Sequence, residues 1–198
     1  MSSTEARKGE PLPRRISRWL AWLAGAIILF GCAVPITIDV AARYFLNRGL
    51  VESFEISGFA LAACIGLGLG YTVTTKAHIR VDFLIARLPF PLRAACDLIA
   101  AFALAIVAAA LAWFALGMVT KSWELDARSM SLLRIPLVIP QGLWWIGLFW
   151  FACMAALAPA LAILRLARGD RAGFEAAIGV ADLGAEVEEA ARAAEGKR

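Results

Sequence analysis

The chain has 198 residues, 61% of which are hydrophobic, and its formal net charge is +4. Soluble domains are roughly half apolar, and the segments between the apolar runs of this chain are too short to bury a separate soluble core. The basic residues are spread over these short segments, which is typical of charge distributed about a membrane. We therefore predict contact with membrane lipid and no nucleic-acid partner.

Four long runs with almost no charge define the predicted fold. Asp39 is the one charged residue within them, and they cover residues 19–42, 56–75, 98–120 and 135–164. About 20 apolar residues cross a hydrocarbon core of ~30 Å as a helix, and runs this continuous are not the alternating strands of a barrel. The predicted fold class is an all-α membrane protein with four transmembrane helices.

The basic residues also indicate an orientation. Twelve lie before the first run, between the second and third runs and at the start of the C-terminal tail, whereas five lie in the other two connections. By the positive-inside rule, both termini and segment 76–96 are expected in the cytoplasm. The loops 43–55 and 121–134 are then expected to face outward.

The predicted domain organisation has three parts. Residues 1–15 are expected to form a flexible, solvated cytoplasmic tail, and residues 16–168 a four-helix membrane domain. Residues 169–198 are expected to form a second cytoplasmic tail, which is either helical or disordered. The fourth run is longer than one span, so we expect a bent or interfacial start around Pro136 and Pro140.

A short amphipathic helix is predicted between the second and third transmembrane helices. Val81, Leu84, Ile85 and Leu88 recur at i, i+3, i+4 and i+7, while the arginines of this segment fall elsewhere on the helical wheel. The segment is too short and too charged to span a bilayer. It is typical of a helix that lies flat on the cytoplasmic interface.

Asp39 and Arg43 lie four residues apart, which places them on one face of the first helix near its outer end. One interpretation is a mutual ion pair that lowers the cost of placing Asp39 in the membrane. The other is a contact with a partner subunit or a coupling ion, because charged residues within spans often mark such sites.

The second helix carries small residues at a spacing of four. Gly58, Ala62, Gly66 and Gly70 form a stripe along one face, and such stripes allow the backbone of another helix to approach closely. Glu52 and Glu55 lie at the start of the same helix, where carboxylates complement the helix dipole. We predict a helix-packing seam along the stripe.

Catalytic interpretations find little support. His78 is the only histidine, which excludes a bis-histidine haem or a His-rich metal site. We predict that the chain is not an enzyme and that it binds no cofactor or metal ion. Because the centres of all four runs carry no charge, the chain offers no ion pathway of its own, and we predict that it is a subunit of a larger assembly.

A family resemblance supports this prediction. The chain resembles the DctQ-like small membrane subunit of tripartite ATP-independent periplasmic (TRAP) transporters in its Arg43–Asn47 stretch, Glu52 and Glu55, Gly66–Gly70, Lys76–Asp82, Leu88–Pro89, Arg93, Ile135–Pro136 and Ile139–Pro140. The His-Ile-Arg-Val-Asp element at residues 78–82 is the most specific piece. The similarity covers roughly residues 39–150.

The resemblance implies partners and a role. Relatives of this kind bind a large multi-spanning permease, and an extracytoplasmic solute-binding protein delivers the solute, usually an organic acid. The chain would then be a scaffold in the bacterial inner membrane. Arg43, Asn47 and Glu55 would be outward-side contacts, and His78 and Asp82 would lie at the cytoplasmic end. For His78 the alternative is a helix cap or a hydrogen bond to Asp82.

Two other functions stay open at this point. One is the small subunit of a tricarboxylate-type tripartite transporter, which also has four spans. The other is a membrane anchor subunit of a respiratory enzyme, against which the single histidine argues.

Overall fold

The computed structural model describes residues 12–49, 52–75, 89–131 and 133–178. These residues form four long helices and one short one, namely α1 (Leu12–Leu46), α2 (Ser53–Thr74), α3 (Phe90–Glu124), α4 (Val138–Ala167) and α5 (Arg171–Ile178). The first four are long and apolar enough to cross a membrane, and no strand occurs in the described ranges. The predicted all-α fold with four transmembrane helices is confirmed.

The helices are longer than the charge-free runs that predicted them. α1 begins at Leu12 and α3 extends to Glu124, so both have 35 residues. The charge-free stretch marks only the hydrocarbon core, whereas long charged side chains keep their polar ends in the headgroup region while the helix continues. Charge patterning alone therefore underestimates helix length.

A π-helical turn interrupts α1 at Leu29–Ala33. Pro35 follows it closely, and a proline inside a helix crowds the carbonyl of the residue four positions earlier, which is Gly31 here. A Cβ added at Gly31 would lie 2.7 Å from Cβ of Ala60 in α2, and the Cys32 thiol donates to the Ser57 carbonyl at 3.3 Å. The wider turn thus accommodates the proline where α1 contacts α2.

The start of α4 follows the chemistry of its prolines. Pro136 stays outside the helix and forms an isolated bridge with Arg128. Pro140 lies in the first turn of α4. Backbone N–H groups in the first turn of a helix have no hydrogen-bond partner within the helix, so a proline there breaks no helical hydrogen bond. Pro159 is buried farther along α4.

α4 is the central helix of the bundle. It packs against α2 on one side and α3 on the other, while α1 packs against α2. α3 buries alanines at seven-residue intervals, namely Ala94, Ala101, Ala108 and Ala115. Small side chains let the helix backbones approach closely, which is the main source of packing in a membrane.

The short helix α5 covers one end of α3 and α4. Phe174 and Ile178 are buried there in a cluster with Ala94, Ala101 and Ala162. The part of the predicted C-terminal tail between 171 and 178 is therefore a docked helix.

Aromatic and polar contacts hold α5 in place. The rings of Phe174 and Phe90 meet edge to face with centroids 6.2 Å apart, and the Arg171 guanidinium lies 4.9 Å from the Phe90 centroid. Arg165 donates to the Gly173 carbonyl at 2.7 Å. These contacts fix α5 to the ends of both transmembrane helices.

We predict that Phe174→Ala undocks α5. An isolated helix of this length does not persist in water, so the backbone amides of Arg171–Ile178 should exchange with deuterium as quickly as those of an unstructured segment. The spans themselves should keep their exchange rates. Leu164→Ala is the matched control, because this α4 side chain is exposed. Unchanged protection of α5 in the Phe174 variant would contradict the docking.

Several sequence-based predictions concern residues outside the described ranges. The amphipathic helix around Val81–Leu88, both His78 and Asp82, and most of the two predicted tails lie there. These stay predictions.

Candidate functional site

Asp39 is the centre of a polar cluster where α1 meets α2. Its carboxylate is buried, and the same oxygen, Oδ2, accepts bonds from Arg43 Nε at 2.9 Å and from the Ser53 hydroxyl at 3.0 Å. The ion pair expected from the four-residue spacing is therefore present. Ser53 was missed by the sequence interpretation, and through it the carboxylate joins two helices across their connection.

The two members of the ion pair differ in exposure. The side chain of Asp39 is 4% exposed and that of Arg43 is 67% exposed. A Cβ added at Gly49 would lie 3.1 Å from Asp39 Oδ1 and 3.5 Å from Arg43 Nη2, so the backbone at Gly49 passes close beside the ion pair. The cluster shields the acid and leaves the guanidinium facing outward from the bundle.

Asn47 ends α1 in the left-handed conformation, with φ 52° and ψ 26°. Asparagine tolerates this conformation better than most residues, which gives Asn47 a role in the turn. Just before it, the rings of Tyr44 and Phe45 meet edge to face at 5.0 Å and are both exposed. Exposed aromatic residues at a helix end are typical of the membrane–water interface.

The two glutamates have different surroundings at the start of α2. Glu52 precedes the helix, and its backbone carbonyl accepts bonds from the amides of Glu55 and Ile56, each at 3.2 Å. Oε2 of Glu55 is buried and has no hydrogen-bond partner among the described residues. Buried polar atoms normally have a partner, so this carboxylate could accept a bond from a neighbouring chain.

The glycines of the α2 stripe lie on two different surfaces of the helix. A Cβ at Gly66 would lie 2.8 Å from the Trp144 carbonyl oxygen, and one at Gly70 would overlap Cδ1 of Trp150. These two glycines therefore form a seam with α4. Gly58 is exposed, and an added Cβ there would meet nothing within 4 Å, so Gly58 is not part of the seam inside this chain.

A second inter-helix bond was not predicted. The Trp150 indole donates to the hydroxyl of Ser17 at 2.9 Å, and Ser17 is completely buried. Because Trp150 also packs against Gly70, helices α1, α2 and α4 meet at this level. The 133 residues between the donor and the acceptor leave no local sequence signal for the bond.

The described residues contain no group of three or more His, Cys, Asp or Glu side chains that could hold a metal ion. The four cysteines are free thiols. What the arrangement offers is a set of interhelical contacts with an exposed arginine, exposed aromatic residues and a glycine facing open space. These features suit contact with another protein or with lipid.

Comparison with known proteins agrees with the fold. Residues 32–169, more than two thirds of the chain, match the family model described as the DctQ component of tripartite ATP-independent periplasmic transporters. No curated protein and no solved structure gives a significant match. The family is one of transporter components and not of enzymes. The chain therefore belongs to the DctQ family, the small membrane subunits of TRAP transporters.

Proposed function

We propose that the chain is a scaffold that braces the large permease of a transporter for an organic acid. The DctQ family functions in a tripartite complex with a large permease and a solute-binding protein. We further propose that the complex lies in the bacterial inner membrane with both termini of this chain in the cytoplasm. The distribution of basic residues supports this orientation.

The observation that carries the proposal is the absence of charge in the middle of every span. Within the described helices, the charge-free stretches are 19–38, 56–74, 98–120 and 138–164. A charge at the bilayer centre costs about 2.5–3.5 kcal/mol or more and is found where transport requires it. The chain therefore supports a partner that carries the ion and solute sites.

One exposed face of α2 supports contact with the permease. This face, called here the outer α2 face, consists of the exposed Phe54, Gly58, Leu61 and Ile65 and the half-buried Gly68, which recur at i, i+4, i+7, i+11 and i+14. Added Cβ atoms at both glycines would meet nothing within 4 Å. The glycines leave room for a second helix backbone, so we propose that a permease helix packs there, next to the buried Glu55 oxygen.

The connection between α3 and α4 supports a second contact, with the solute-binding protein. The amide of Ser129 donates to the Ile135 carbonyl at 2.9 Å, and the amide of Leu137 donates to the Ala127 carbonyl at 3.0 Å. A loop ordered by such backbone bonds can present a fixed surface. We propose that it lies outside the membrane together with Arg43 and Asn47.

Gly58→Leu tests the scaffold proposal. The leucine should fill the space on the outer α2 face and strongly reduce recovery of the permease on the tagged chain. Gly117→Leu is the control, because it adds the same side chain at an exposed α3 position where a Cβ meets nothing within 4 Å. Both isolated variants should keep the thermal stability of the parent chain. Equal permease recovery in the two variants would place the interface elsewhere.

Reconstitution tests whether the permease carries the solute while this chain only supports it. The permease in vesicles, with a sodium gradient and the loaded solute-binding protein, should accumulate solute when this chain is present and far less when it is absent. The chain alone should accumulate none. Solute accumulation by the chain alone would overturn the proposal.

A further inference from the structure

An apolar groove runs along α1 on a surface that no contact described above occupies. Two adjoining cavities of about 510 Å³ and 570 Å³ share Arg18 and Trp22. The first continues along α1 past Gly25 to Leu29 and is closed on one side by Tyr71 of α2. Both volumes are typical of ligand sites.

The shape of the groove follows from the spacing of large and small side chains. Arg18, Trp22, Gly25 and Leu29 follow one another at i, i+4, i+7 and i+11, so they share one face of α1. A Cβ added at Gly25 would meet nothing within 4 Å. The exposed rings of Trp22 and Phe30 lie on either side of the open space at Gly25. Gly25 thus gives this part of the groove, called here the apolar channel, a floor without a side chain.

The groove has the length of one membrane leaflet. From Arg18 to Leu29 the helix rises about 16 Å, and half of a ~30 Å hydrocarbon core is about 15 Å. The bond between Ser17 and Trp150 fixes α1 against α2 and α4 at the level of Arg18.

The polar end of the groove is basic. Arg15 and Arg18 line the second cavity together with Trp19 and Trp22, and the described residues that line the two cavities include no acidic side chain. Arginine binds phosphate through paired N–H donors, and basic residues at a helix end attract anionic headgroups. A basic mouth above an apolar channel complements a molecule with an anionic head and a long apolar tail.

We propose that this groove binds one anionic phospholipid, with its phosphate at Arg15 and Arg18 and an acyl chain along Gly25 towards Leu29. The charge complementarity and the match to leaflet depth favour a lipid over a partner helix. The bound lipid would fill the space between α1 and α2.

Native mass spectrometry of the purified full-length chain tests the proposal. Titration with phosphatidylglycerol should give one tightly bound lipid, and phosphatidylcholine with the same acyl chains should bind more weakly. The double variant Arg15→Gln/Arg18→Gln should bind phosphatidylglycerol roughly 30-fold more weakly, as expected for two lost charges at a lipid surface. The control is Arg48→Gln/Arg128→Gln, two exposed arginines away from the groove.

Gly25→Leu tests the apolar channel without changing any charge. It should lower the binding of both lipids, whereas Gly117→Leu should not. Equal binding of the two lipids to the parent chain, or unchanged phosphatidylglycerol binding in both groove variants, would overturn the proposal. If Gly25→Leu keeps lipid binding but abolishes recovery of the permease, the groove binds a partner helix and the proposal is wrong.

Discussion

Gly147→Ala is expected to push α2 away from α4 and to destabilise the folded bundle strongly. A Cβ at Gly147 would lie 2.5 Å from the backbone nitrogen of Leu67 and 2.6 Å from the carbonyl oxygen of Gly66. Backbone atoms of a packed helix cannot rotate away as a flexible side chain can. The cost should reach or exceed the upper end of the ~1–3 kcal/mol typical of overpacked cores.

Thermal unfolding in detergent measures this effect. The matched control is Gly142→Ala in the same helix, where an added Cβ meets nothing within 4 Å. Gly142→Ala should change stability by no more than the ~0.5–1 kcal/mol that separates glycine from alanine in helices. Similar melting curves for the two variants would show that the backbones at Gly66 and Gly147 are not in close contact.

The helix contacts show which features sequence reasoning could find. The four spans were predictable because apolar length is a local property that the bilayer imposes on each segment. Asp39 and Arg43 were predictable because a spacing of four brings them together within one helix. Gly66 was found as part of a stripe, but the stripe could not show that Gly58 faces away from α4.

Other features depend on pairs of distant residues. Gly147 has a structural role because it packs against Gly66, and Ser17 has one because it accepts a hydrogen bond from Trp150. The close approach of α1 to α2 likewise depends on how Gly31 fits against Ala60. Nothing in the local sequence around either residue of such a pair indicates the contact. Tertiary packing decides their roles, and a single sequence contains no record of it.

Arg43→Gln is expected to destabilise the junction of α1 and α2 by roughly 2–4 kcal/mol. This range lies between the usual cost of losing a hydrogen bond to a charged group and the usual cost of removing the counter-charge from a buried carboxylate. Asp39→Asn should cost less, because an amide oxygen still accepts from Arg43 and Ser53. Thermal unfolding of the isolated chain measures both variants.

The double variant Asp39→Asn/Arg43→Gln should recover most of the stability lost in Arg43→Gln, since no buried carboxylate then lacks its guanidinium. The coupling energy of this cycle measures the ion pair itself. If the stability losses of the two single variants simply add in the double variant, the ion pair does not stabilise the fold.

Recovery of the permease separates the structural role of Arg43 from a partner contact. Arg43 uses Nε for Asp39, and its side chain is 67% exposed, so further N–H donors can reach a neighbouring chain. We therefore expect the double variant to regain stability while its yield of permease complex stays low. If complex yield returns together with stability, Arg43 acts only within this chain, and the outward contact must be made by other residues of the α1–α2 junction.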